Sequence, residues 1–200
     1  QMNAGEVLKK QLWKQIVEAK IRNQAALLNK VGQEGDILKQ YYRNVKSGDS
    51  DNREAIAARV YFSELFGESF IRDRTLPGIN ALLNYGYTIL RAATARALVS
   101  SGLLPAIGIF HHNRSNAFPL ADDIMEPYRP YVDEIVYALS MQGKMELTKD
   151  VKADLIQVLY ADTQFSKVIR PLSVGLTFTS SSLSNCFAKE QKRLSLPLMK

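Results

Sequence analysis

Cysteine and long apolar runs are scarce in this sequence, and their scarcity excludes several classes of protein. The 200 residues contain one cysteine, Cys186, which excludes an internal disulfide and a zinc site built from several cysteines. No apolar stretch approaches the roughly 18 residues that a membrane-spanning helix needs. The first residues, QMNAGEVLKK, lack the apolar core of a secretion signal. We therefore expect a cytoplasmic protein that does not enter a membrane.

Motifs of the common hydrolases are also missing. The sequence has no phosphate-binding P-loop, no G-x-G-x-x-G fingerprint and no G-x-S-x-G elbow, so nucleotide hydrolysis and serine hydrolysis lack support. Acidic residues are fewer than basic ones, with 20 Asp and Glu against 26 Lys and Arg and a formal net charge of +6. This excess favours a polyanionic partner such as nucleic acid, although a soluble basic surface would produce the same balance.

Helical periodicity dominates the chain and predicts an all-α helical bundle, a single domain over residues 1–200. A stripe of apolar residues from Leu8 to Leu27 predicts a first helix over about 8–31, with Lys9, Lys10, Lys14 and Lys20 on a basic outer face. The same reasoning predicts later helices over about 36–45, 53–67, 79–102, 122–143, 148–170 and 171–192.

Two connections interrupt this periodicity. Residues 47–53 are polar and rich in helix-capping side chains. Residues 103–120 carry Pro105, Gly108 and Pro119 without a helical period, which predicts an irregular segment. The helix after it should begin at Asp122 or Asp123, with Pro127 near its first turn.

Candidate chemistry begins with one acid and the histidines. Glu54 lies early in a predicted helix otherwise rich in alanine, where it is either a metal ligand or a carboxylate favoured by the helix dipole. His111 and His112 are the two histidines of the chain and lie in the irregular segment. Adjacent side chains point in different directions, so at most one is expected in a given site. Both could equally be surface residues.

A second candidate group follows in the sequence DDIMEPYRP. Asp123 and Glu126 are three residues apart and would share one face of a helix, within reach of a common ion. The alternative is a capping box at the start of that helix. Arg129 could contact phosphate, lie on the surface, or pair with one of these carboxylates.

Together, Glu54, His111, Asp123 and Glu126 offer oxygen and nitrogen ligands without thiolates. Such a set suits Mg²⁺ or Mn²⁺ better than structural zinc. An ion of this kind bound to a phosphodiester polarises the phosphoryl oxygen and activates a water or hydroxyl for attack. The spacing alone leaves the metal site a hypothesis.

The same segments resemble the CRISPR-associated integrase, the first Cas protein, most closely in its type II versions. The resemblance runs over nearly the whole chain and includes LWKQIVEAKIRNQAALL, NREAIAARVYF and INALLNYGYTILRAATARAL. Its most specific part is an Asp-x-x-Glu followed by Pro-x-Arg-Pro, preceded by the Gly-x-x-His of GIFH.

The resemblance implies a site and a reaction. The metal-binding and catalytic residues of the family fall on Glu54, His111 and Glu126, with Asp123 as a further candidate ligand and His112 demoted. The implied enzyme is a metal-dependent DNA endonuclease and integrase that directs the 3′-hydroxyl of protospacer DNA onto repeat DNA by transesterification. Members of the family also carry a β-rich N-terminal domain used in dimerisation, which we expect this chain to lack.

The resemblance also implies partners. These are duplex DNA with splayed 3′ ends, repeat DNA, a second small Cas protein and, in a full-length protein, a second copy of the chain. Candidate phosphate contacts are Arg59, Arg91, Arg96, Arg114 and Arg129, and candidate base-stacking residues are Tyr85, Tyr87 and Tyr128. Most of these arginines could equally be surface residues or members of ion pairs at the edge of the core, and aromatic residues at helical spacing more often belong to the core. Two alternatives stay open: a catalytically inactive basic helical scaffold that binds DNA, and a metal nuclease unrelated to adaptation.

Overall fold

Two long helices, α1 and α4, organise the structure, a computed structural model that describes residues 1–113 and 115–200. The predicted phosphate contact at Arg114 lies outside the described residues. The helices are α1 (Glu6–Lys30), α2 (Lys39–Arg43), α3 (Arg53–Phe66), α4 (Ile79–Ser100), α5 (Pro119–Met125), α6 (Arg129–Met141), α7 (Lys149–Ile156) and α8 (Leu172–Phe187). Short 3₁₀ segments comprise Gly35–Leu38, Ser47–Asp49, Glu126–Tyr128 and Gln157–Tyr160.

Helix α1 confirms the predicted first helix to within two residues at each end. In its apolar stripe, Leu12, Ile16 and Leu27 are fully buried, whereas Leu8 is partly buried. The helix packs against α3, α6 and the 3₁₀ segment Glu126–Tyr128. It ends before Gly32, whose φ of 82° is a conformation that favours glycine.

Helix α4 packs against α5, α6, α7 and α8 and forms the second half of the core. Gly86 allows a close approach to α6, because a Cβ atom built there would lie 2.3 Å from Cγ1 of Val132. Within the described part of the chain, no helix is both long and apolar enough to cross a membrane. The predicted helices around α3 and α4 are confirmed.

The fold is mostly helical, and the prediction of an all-α bundle is wrong in one segment. The predicted helix over 148–170 ends early, and strand β1 (Asp162–Phe165) pairs with antiparallel strand β2 (Val168–Pro171). In β1 the side chains of Thr163 and Phe165 are buried on one side, the alternation of a strand. Gly175 of α8 makes room for them, because its Cβ would lie 2.7 Å from Oγ1 of Thr163.

The predicted start at Asp122 or Asp123 is also wrong. Helix α5 begins earlier, with Pro119 in its first turn, where the missing N–H of proline costs no hydrogen bond. Glu126 then begins a 3₁₀ turn that leads into α6. Asp123 therefore lies inside a helix, and the capping-box alternative for Asp123 and Glu126 is wrong.

Candidate active site

The start of α3 fixes the position of Glu54. The carboxylate of Asp49 accepts the backbone N–H groups of Arg53 at 2.8 Å and Glu54 at 3.0 Å. Two of the free donors at the helix start are thereby satisfied. Glu54 lies in the first turn, where the helix dipole favours a negative charge, and its side chain is 27% exposed.

Glu126 is held in the interior by contacts from two helices. Asn23 of α1 donates a hydrogen bond of 2.7 Å to the carbonyl oxygen of Pro127, which ties the 3₁₀ turn to α1. Nη2 of Arg129 lies 2.9 Å from Oε1 of Glu126. Of the alternatives for Arg129, this contact confirms the ion pair with one of the carboxylates. Glu126 is only 5% exposed, so its charge depends on such partners.

The ammonium group of Lys20 lies between the two glutamates. Its Nζ atom contacts Oε1 of Glu54 and is 2.5 Å from Oε2 of Glu126. The predicted outward position of Lys20 is wrong, since the residue is 6% exposed. Lys20 follows Ile16 by four residues, so both lie on the face that α1 buries.

The charges at this point stabilise one another despite their burial. Burial by itself would lower the pKa of Lys20, but attraction to Glu126 and Glu54 outweighs it and raises that pKa. Burial would likewise raise the pKa of Glu126, yet the charges of Arg129 and Lys20 lower it. Lys20, Glu126 and Arg129 are therefore charged at neutral pH.

Asp123 organises the loop that carries His111. Its carboxylate, fully buried, accepts the backbone N–H groups of Ile109, Phe110 and His111 at 2.6, 3.0 and 3.2 Å. The Nδ1 atom of His111 lies 2.6 Å from Oδ1 of the same carboxylate. Gly108 is required in this turn, because a Cβ there would lie 2.3 Å from the carbonyl oxygen of His111.

The contact with Asp123 orients the imidazole of His111. The hydrogen bond to the carboxylate raises the pKa of His111 and occupies Nδ1, so Nε2 is the nitrogen that Asp123 does not engage. Trp13 of α1 stacks on Phe110, with ring centroids 4.3 Å apart. The His111 ring packs edge-on to Trp13, with centroids 5.7 Å apart, whereas His112 is exposed.

The structure brings the predicted site residues together in part. Glu54 and Glu126 share one cation, and the charge of His111 contributes to the lowered pKa of Glu126. The oxygens of Asp123 are instead used by the loop and by Nδ1 of His111. Across the described residues, no three histidine, cysteine or acidic side chains are already arranged around a point that a metal ion could occupy.

The donor chemistry nevertheless fits a hard divalent cation. Two carboxylates already converge on a positive charge, and Oε2 of Glu126 is buried against that charge without a hydrogen bond of good geometry among the described atoms. The imidazole of His111, whose Nε2 is not engaged by Asp123, is close enough for its charge to act on Glu126. Carboxylate oxygens with one imidazole nitrogen are ligands that Mg²⁺ and Mn²⁺ accept. Glu54, Glu126 and His111 are thus the residues that could hold such an ion.

A basic cleft of about 640 Å³ opens beside His111 and Arg129. Its lining includes Arg72, Arg74 and Arg91, with one carboxylate, Asp122. Nε of Arg91 lies 2.8 Å from Oδ1 of Asp122. A concave surface with several guanidinium groups attracts phosphate.

Several side chains that support this cleft were not predicted from the sequence. The guanidinium of Arg129 lies 4.6 Å from the ring centroid of Tyr87. The hydroxyl of Tyr87 donates to buried Asp133 at 2.5 Å, and that of Tyr61 donates to the same carboxylate at 2.8 Å. An aspartate on the apolar face of a predicted helix was the available signal for Asp133, since buried acids require partners.

The other candidate arginines and tyrosines divide into exposed and buried groups. Arg59 and Arg96 are exposed. Tyr87 and Tyr128 are buried, and the hydroxyl of Tyr128 lies 2.6 Å from Oγ1 of Thr179. Both belong to the core, which is the alternative that the sequence favours for aromatic residues at helical spacing. Tyr85 is partly buried.

Fold and site together define a helical protein in which Arg129 connects a carboxylate pair to a basic cleft. The family model described as CRISPR associated protein Cas1 matches residues 2–173. The chain belongs to this family. A CRISPR-associated endonuclease Cas1 of Neisseria meningitidis serogroup C (strain 8013) is 43% identical over 202 aligned positions. These cover 98% of this chain and 66% of the relative, so the chain spans just under two thirds of that protein's length.

Solved structures have the same fold. A partial Cas6-RT-Cas1–Cas2 complex matches with a TM-score of 0.78 and 24% identity, over 98% of this chain and 70% of that one. A casposase bound to integration product matches with a TM-score of 0.75 and 22% identity, over 94% of this chain and 66% of that one. At these identities the likeness is one of fold.

Proposed function

We propose that this chain is the helical catalytic part of a DNA endonuclease and integrase of CRISPR adaptation. It joins the 3′-hydroxyl of protospacer DNA to repeat DNA by transesterification and depends on Mg²⁺ or Mn²⁺. The observation that carries the proposal is the convergence of Glu54 and Glu126 on one positive charge beside His111. Support also comes from family membership and from the endonuclease name of the Neisseria relative.

Each site residue has a role that follows from its contacts. Glu54 and Glu126 supply anionic oxygens, and His111 supplies the imidazole nitrogen that Asp123 leaves free. When bound, a divalent ion polarises the scissile phosphodiester and lowers the pKa of the attacking hydroxyl. Asp123 is a positioning residue, because its oxygens hold the loop around His111. No side chain is required as a covalent nucleophile.

The basic cleft is the proposed DNA-binding surface. Arg72, Arg74 and Arg91 line it together with Arg129. Arg129 also contacts Glu126, so a phosphate of a DNA strand bound there would lie one side chain away from the carboxylate pair. Because such contacts release counterions from DNA, affinity should fall steeply as salt concentration rises. The fold of this chain also occurs within a Cas1–Cas2 complex, which supports a second small Cas protein as partner of the full-length protein. For the full-length protein we also propose a homodimer.

Strand joining on branched DNA tests the catalytic proposal. A labelled DNA with splayed 3′ ends is incubated with the protein, a plasmid carrying a leader and repeat, and Mg²⁺ or Mn²⁺. Wild-type protein should cleave or join DNA, and Glu54→Ala and His111→Ala should each lose at least about a hundredfold in rate, the scale of losing an essential metal contact.

The neighbouring histidine provides the matched control. His112 is exposed and has the same side chain, so His112→Ala should retain the wild-type rate. Insertion at the repeat ends would distinguish adaptation from general nuclease activity. An inactive wild-type chain that still binds DNA in a salt-dependent manner would refute the catalytic proposal and favour the scaffold alternative.

A further inference from the structure

We propose that Lys20 is the resident counter-cation of the Glu54–Glu126 pair, and that it couples the binding of a divalent ion to the binding of DNA. In the free protein the ammonium group occupies the place between the carboxylates. A divalent ion binds tightly there only once a DNA phosphate has brought additional negative charge. This inference rests on the proposed function and adds a rule for the order in which its ligands bind.

The position of Lys20 is that of a cation in a binding site. Its Nζ atom contacts both carboxylates, and the residue is 6% exposed. Ion pairs at the surface of α1 join one lysine to one acid that is in contact with solvent, as Lys14 and Glu18 do at 3.7 Å. Lys20 instead contacts two acids from separate elements. Its positive charge therefore offsets the repulsion between two carboxylates that the fold brings close together.

A charge count shows why the site would resist a metal ion in the absence of DNA. Glu54 and Glu126 contribute −2, and Lys20 and Arg129 contribute +2, so the sum of the four is zero. A divalent ion would leave this partly buried group with an excess of +2. Unlike a metal site of unpaired acids, the site has no surplus negative charge to attract the ion.

Two events could remove this obstacle, and DNA supplies both. A phosphodiester in the adjacent basic cleft adds negative charge beside the carboxylates. It also gives the ammonium group a new acceptor, and the flexible four-carbon stem of lysine allows Nζ to move towards it. Arg129 remains fixed by its contacts with Glu126 and the Tyr87 ring. Lys20 is therefore the cation whose charged group can move away from the carboxylates.

Mn²⁺ titrations followed by electron paramagnetic resonance test this coupling without relying on catalysis. The free Mn²⁺ signal is measured for wild type, Lys20→Met and Lys20→Arg, each with and without a short duplex with splayed ends. The ends lack 3′-hydroxyls, so no joining occurs. Glu126→Gln identifies the Mn²⁺ that binds at this site, and Lys14→Met serves as a matched lysine substitution on the same helix.

The expected results differ between the variants. Wild type should bind Mn²⁺ at least about tenfold more tightly with DNA than without it, a conservative change for one charge near a partly buried ion. Lys20→Met should bind Mn²⁺ at least about tenfold more tightly than wild type without DNA, and DNA should add less. Lys20→Arg keeps the charge and, like Lys14→Met, should resemble wild type.

Two results would overturn the role of Lys20 while leaving the metal site intact. One is wild-type protein that binds Mn²⁺ equally tightly with and without DNA. The other is folded Lys20→Met, judged by circular dichroism, that binds Mn²⁺ no more tightly than wild type. If Lys20→Met does not fold, the wild-type comparison decides alone. A failure of every protein to bind Mn²⁺ at the Glu126-dependent site, even with DNA, would refute the proposed metal site as well.

Discussion

Replacing Asp133 with asparagine should remove a contribution that makes the protein less stable as the pH rises. Asp133 lies on α6, is 1% exposed, and accepts hydrogen bonds from the hydroxyls of Tyr61 and Tyr87. Burial raises its pKa from 3.8 to about 6, although the two tyrosines and the charges of Arg129 and Lys20 partly oppose the rise. The folded protein therefore favours the protonated form of this carboxyl group more than the unfolded chain does.

The sign and size of the effect follow from the two pKa values. The stabilisation is complete below pH 3.8, the unfolded value, and is lost as the pH rises through about 6, the folded value. A difference of roughly two pKa units at ~1.36 kcal/mol each gives about 3 kcal/mol. Asparagine has nearly the same shape but does not titrate, so it removes this dependence while one tyrosine still donates to its oxygen.

Urea unfolding of both proteins between pH 4 and pH 7 measures the effect. The quantity of interest is the free energy of unfolding of Asp133→Asn minus that of wild type at each pH. It should rise by about 2.4 kcal/mol from pH 4 to pH 7, because a smaller part of the change takes place below pH 4. Groups that both proteins share, such as Asp36 and Asp73, cancel in this difference. A difference that stays constant across the range would refute the assignment of a raised pKa to Asp133.

Three further substitutions test the packing around the site. Gly86→Ala should cost about 1–3 kcal/mol because its Cβ meets Val132, and adding Val132→Ala should recover part of that loss in urea unfolding. Asp123→Ala leaves three backbone N–H groups without their acceptor, so unfolding should require at least about 3 kcal/mol less and DNA joining should fall as His111 loses its orientation. Trp13→Ala should lower the free energy of unfolding by about 3–5 kcal/mol, and a loss below 1 kcal/mol would contradict its buried position.

Periodicity predicts the helices well because their apolar stripes are continuous. Helices α1, α3 and α4 begin and end close to their predicted positions. The hairpin of β1 and β2 escapes prediction because each strand has only four residues, too few for alternation to stand out against helical neighbours. The early start of α5 was not predicted because Pro119 follows Pro105 and Gly108, and the three residues together indicate an irregular segment. Proline also suits the first turn of a helix, and that is where Pro119 lies.

The position of Lys20 could not be predicted from the sequence for a physical reason. Charged side chains at helical spacing are normally solvated, and Lys20 lies among three other lysines that suggest an outer face. Its burial depends on Glu54 and Glu126, which are 34 and 106 residues distant in the chain and meet it only in the folded protein. The two carboxylates were recognisable because they lie in motifs, whereas the cation that balances them has no motif. A sequence can therefore indicate the acids of a polar site while concealing the cation that balances their charge.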